Sequence, residues 1–113
     1  MTTITDVITQ RDAAISIIVQ QIMRANDLKN GGAQGMDDKI NVLEHQKTTV
    51  AAQAYQAALD DPSMTQALAA LRDVTQDMNS VSTNMITAAA FMSNFGSFVS
   101  VANKIIPILQ GRG

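Results

Sequence analysis

Apolar residues along this chain recur at alternating spacings of four and three, the pattern of a helix face packed lengthwise on a neighbour. The first stripe reads Ile4, Ile8, Arg11, Ile15, Ile18, Ile22 and Ala25, widened on one side by Val7 and Ala14. It predicts a helix over residues 5–28, stopped by the glycine-rich linker NGGAQG at 30–35. A second stripe, Met36, Ile40, Leu43, Lys47, Val50, Ala54 and Ala57, predicts a helix over 37–59. Asp37 and Asp38 suit its positively polarised start. A turn follows at 60–63, where Asp61 is placed to cap the next helix and Pro62 to open it.

The third pattern is the longest. Positions seven apart read Met64, Leu71, Met78, Met85, Met92, Val99 and Ile106. A second set, offset by three, reads Ala67, Val74, Val81, Ala88, Phe95, Ala102 and Leu109. All fourteen positions are apolar and the register has no stutter, which predicts one coiled-coil-like helix over 62–106. Gly96 marks the point most open to a bend, and Pro107 should end the regular helix by removing the bond to the Asn103 carbonyl. The fold class expected is all-α: one domain over 1–113 with three helical segments, a hairpin or bundle with one long C-terminal helix. Such a helix would run about 65 Å and the other two about 35 Å each. The half from Ala88 to Ile106 would then need helix 1 crossing over it, or another chain.

Charge sharpens that expectation. Residues 78–103 contain no Asp, Glu, Lys, Arg or His over twenty-six positions, and all ten acidic residues lie before Met78. The length would span a bilayer. Yet eleven of these residues are Ser, Thr or Asn, costly in hydrocarbon, and no basic or Trp/Tyr belt flanks them. A stable span is not expected; conditional contact with a membrane stays open. Small polar residues in place of Lys and Glu suit a helix enclosed by protein, much of it from other subunits. The candidate self-assembly residues are Met78, Met85, Phe91, Met92, Phe95, Phe98, Val99 and Ile106. Phe95→Asp is expected to stop assembly and to leave helix content near native.

Composition narrows the chemistry. With a net charge of −2 the 113-residue chain lacks the basic face of a nucleic-acid binder. It has no Cys and one histidine, His45, so no thiolate or second imidazole is present to complete a metal site. Asp37-Asp38 and Asp60-Asp61 read as helix caps rather than acid–base pairs, and NGGAQG lacks the spacing of a phosphate loop. No catalytic, cofactor-binding or metal-binding residue is assigned, no cofactor is expected, and an enzyme is the last choice. Arg11 and Lys47 interrupt apolar stripes; they read as snorkelling edge residues or as register and subunit contacts. The start MTTITDVITQRD lacks the basic and apolar regions of a cleaved signal peptide.

In these features the chain resembles the small helical subunits of type III secretion needles and needle-tip filaments. MTTITDVITQ matches their signal-free start, DDPS their Pro-containing turn, and 64–106 their long C-terminal helix. The Gly-Gly linker, which adds a third segment, and the C-terminus depart from that pattern. The resemblance implies a structural subunit of a filament or higher oligomer, secreted or at the cell surface without a cleaved signal, otherwise cytoplasmic. The alternatives are a partner-binding helical protein (chaperone, adaptor or immunity factor) and a membrane-active helical protein.

Overall fold

A computed structural model describes residues 2–53 and 60–110. They form α1 (Ile4–Asn30), α2 (Met36–Ala51), α3 (Asp61–Ser82), α4 (Ala88–Asn103) and the short α5 (Ile105–Leu109), with no strand among the described residues. The fold is all-α.

Local chemistry accounts for most of the ends. Thr3 and Asp6 form a reciprocal capping box at the start of α1. At its other end Ala33 N–H reaches the Leu28 carbonyl and Gly32 N–H that of Lys29. This Schellman closure needs the positive φ of 101° that Gly32 supplies. α3 is capped by Asp60, whose carboxylate accepts from Ser63 N–H at 2.8 Å, one residue earlier than the Asp61 expected. Pro62 then falls in the first turn, where its missing donor costs nothing. α2 ends at Ala51, short of the helix expected over 37–59: Ala52 and Gln53 follow it outside the helix, and 54–59 lie outside the described residues.

The largest departure concerns the long helix. It does not run unbroken over 62–106, and Gly96 does not bend it. The chain breaks at Thr83–Thr87 instead, and α4 folds back along α3. Thr83, Asn84 and Thr87 there are poor helix formers whose side chains compete for backbone groups. Thr83 Oγ1 donates to the Ser80 carbonyl at 2.8 Å, Asn84 Nδ2 to the same oxygen at 3.3 Å, and Ser82 Oγ to that of Asn79 at 3.1 Å. Thr87 then caps α4, accepting from Ala90 N–H at 3.2 Å. At Pro107 the helix is interrupted rather than ended: α4 stops at Asn103, whose carbonyl the ring would strike, and α5 then runs through Pro107 to Leu109.

Cross-helix contacts set the directions. Arg11 reaches Gln53 and Lys29 reaches Asp37, so α1 and α2 are antiparallel. Gln10 bonds Thr75, and Arg24 the carbonyl of Ser82, so α1 and α3 run the same way. Lys39 lies over Phe95, Gln46 bonds Val99 and Asn103, and Gln53 meets Gln110, so α4 and α5 run parallel to α2. Two antiparallel pairs, α1/α2 and α3/α4, thus lie side by side in a body of 50 × 22 × 19 Å. Folding back halves the length to be covered. The segment that was expected to need helix 1 crossing over it, or another chain, is covered mainly by α3 and α2.

Candidate interaction surface

The fold divides the predicted interface into an inside and an outside. Met78, Met85, Phe91 and Phe98 are fully buried, Phe95 is 7% exposed, and Val99 and Ile106 are half-buried against the same core. The five buried residues hold the chain's own helices together and are not open to another subunit in this fold; Val99 and Ile106 are partly covered. Phe95 stacks 5.8 Å from Phe91 beneath the Lys39 ammonium. An aspartate there would bury a charge in the apolar core and unfold the chain rather than only stop assembly. Of the eight, only Met92 is exposed, at 41%.

The reason lies in a rotation of α4. The heptad continuous with α3 would turn Met92, Val99 and Ile106 inward. The helix buries Phe91, Phe98 and Ile105 instead, keeping Phe95, Ala102 and Leu109 common to both seams. That is a turn of roughly 50° about the helix axis, half of one residue's step. Two Phe rings in place of Met and Val bury more apolar area, and the break at 83–87 frees α4 to take that phase. In α1 the buried face is likewise shifted, centring on Val7, Ala14, Ile18, Gln21 and Ala25 and leaving Ile4 at 41% exposure.

What faces water on α4 is Ala89, Met92, Ser93, Gly96, Ser97, Ser100 and Asn103. The adjoining corner adds Asn79, Ser80, Thr83, Asn84, Thr87 and Ile86, the last 67% exposed. The segment carries no charged residue of its own before Lys104; the nearest cations are Arg24 of α1, on the corner carbonyls, and Lys39 of α2, over Phe95. A Cβ built on Gly96 meets nothing within 4 Å, so no close approach inside the fold requires glycine there. No family model matches the chain, and no curated protein or solved structure matches it. The surface therefore has to be read from its own residues.

The two singled-out cations take different places. Arg11, 16% exposed, donates from Nη1 to the Gln53 carbonyl at 2.7 Å and pairs with Asp12 at 3.0 Å, fastening α1 to the chain just past α2. Both contacts are made within the chain. Lys47 makes an exposed pair with Glu44 at 3.2 Å along α2, a contact of small energetic weight. Arg24 was not singled out by the pattern, because as an ordinary charge on the polar side of α1 it gave no signal. Its Nη1 donates to the carbonyls of Ser82 at 3.0 Å and Met85 at 3.4 Å, where helical partners end.

Two buried amides are also unexpected. Gln46, 4% exposed, donates from Nε2 to Val99 O and Asn103 Oδ1, while its Oε1 has no partner. Gln21, 1% exposed, likewise has an unpartnered Oε1. His45 is exposed. Among the described residues no three acidic, His or Cys side chains gather to hold a metal ion, and no helix is long and apolar enough to cross a membrane.

Proposed function

We propose that this chain is a non-enzymatic structural protein that associates with copies of itself through the uncharged outer face of α4 and the α3–α4 corner. The observation that carries this reading is the exposed face from Ala89 to Asn103, which holds small polar residues, Met92 and Gly96 where a solvated helix would carry Lys or Glu. Glycine in a helix interior costs about 1 kcal/mol relative to alanine, and nothing inside the fold requires it at 96. Small side chains let a second helix approach closely without desolvating a charge. The self-assembly residues expected along the heptad lie mostly in the core, so the outer face takes their place in this reading.

Gly96→Lys and Ser93→Lys put a charge on this face and leave the core untouched. Light scattering and negative-stain microscopy of the purified protein should show large species for the wild type and monomers for both variants, with unchanged far-UV circular dichroism. A wild type that stays monomeric at high concentration, or variants that assemble as it does, would overturn the reading.

A further inference from the structure

The α3–α4 corner has an unusual construction. Residues 83–87 contain neither Gly nor Pro, and none has a positive φ; Thr83 itself sits in the helical region at φ −64°, ψ −19°. Nothing covalent or steric in this segment forbids helix. The apolar register also crosses it unbroken, through Met78, Val81, Met85, Ala88 and Met92. A loop has no use for a helical phase relation between the elements it joins. That phase is not used in the closed chain, where α4 is turned away from it and Met92 is left outside.

The corner is held by contacts that a helix would replace. Arg24 supplies donors to the Ser82 and Met85 carbonyls, which in a continuous helix would accept from Ile86 and Ala89. The Thr87 hydroxyl supplies an acceptor to Ala90 N–H, which in a continuous helix would bond Ile86. Straightening removes α4 and α5 from the seat formed by α2 and α3, exposing Phe91, Phe95, Phe98 and Ala102. An occupant with matching shape and pattern is the same segment of a second copy.

We infer that the corner is a hinge able to become helical, and that two copies exchange α4–α5 through a straightened α3–α4 helix. Each core is then rebuilt with its original contacts. Met92 and Ala88, outside or at the edge of the closed core, gain a partner where the two straightened helices cross. This inference does not depend on assembly through the outer face, and the Gly96→Lys background separates them.

In that background, sedimentation and light scattering are measured for the parent, Thr87→Ala and Ala88→Pro chains. Thr87→Ala removes a cap used only in the closed form, at both hinges of a dimer, and should raise the dimer association constant about thirtyfold. Ala88→Pro suits the first position of α4 but blocks a continuous helix, and should leave monomer alone. The chain has no Cys, so spin labels at D73C and S97C, diluted with unlabelled chain, report the hinge directly. The exchanged dimer should show a separation of about 36 Å, twenty-four residues of helix, and the monomer a short one. Equal association of all three chains, no dimer from Thr87→Ala, or a dimer lacking the long separation would overturn the inference. Thermal unfolding of each variant checks that it folds.

Discussion

The Arg24 guanidinium donates to the Ser82 carbonyl across 3.0 Å, so a side chain on α1 closes the end of α3. The same nitrogen reaches Met85 at 3.4 Å, which ties the corner to α1 at a second point. The turn that folds α4 back is therefore held partly from outside the hairpin.

Arg24→Ala should cost about 2 kcal/mol, since charge-assisted bonds to the Ser82 and Met85 carbonyls at the corner are lost. Urea denaturation checks this, with Arg24→Lys expected to recover only part of the loss because an ammonium lacks the planar fork.

Phe98→Ala should destabilise by about 3–4 kcal/mol, the cost of emptying a fully buried aromatic site, since Phe98 is 0% exposed. Ser97→Ala, one residue away and exposed, should stay within about 0.5 kcal/mol. Paired thermal melts distinguish a core of this rotation from one using Met92 and Val99, for which Met92→Ala would be the costly change.

Gly96→Ala should stabilise the monomer by about 0.5–1 kcal/mol, because its Cβ enters open space in a helix of ordinary φ. The measurement is the urea midpoint at a concentration where the chain is monomeric.

At Gln46 the unpartnered Oε1 makes the buried amide a weak point. Gln46→Leu should leave stability within about 1 kcal/mol of wild type, whereas Gln46→Glu at neutral pH should lose more than about 2 kcal/mol by burying a carboxylate against the Val99 and Asn103 oxygens. Lowering the pH should narrow the deficit of the Glu variant as its carboxyl takes up a proton.

Asp60 supplies a pH test. Bonds from the Ser63 backbone N–H, and then from its side chain, hold the carboxyl below its ordinary value of 3.8. A depressed folded value means the stabilisation is fully present above the ordinary value and is lost as pH falls through the folded one. Stability relative to Asp60→Asn should be constant from neutral pH down to the carboxylate range and should shrink below it, read by unfolding at each pH.

Much of the architecture was legible from short-range chemistry. The all-α class follows from the apolar periodicity along the chain, while the stop at 31–35, the start near Pro62 and the break before Pro107 each follow from backbone constraints carried by one or two residues. The seam of α3 through Ala67, Leu71, Val74 and Met78 was also readable, because one helix face packs on its neighbours along its whole length. The candidate surface was legible only as a lack of charge over 78–103; which of its residues lay outside was not.

The sequence alone determined where apolar and uncharged residues lie, since periodicity and composition are properties of the chain. The tertiary structure decided which of them are used and where the long pattern folds. Residues 83–87 mix weak helix formers, Thr83, Asn84 and Thr87, with Met85 and hold no breaker, so a straight helix and a corner are both compatible with their local preferences. Arg24, fifty-eight residues before Ser82, closes the corner, and the burial of Phe91 and Phe98 turns α4 to its inward face. Both choices rest on contacts between residues distant in the chain, which no local pattern encodes.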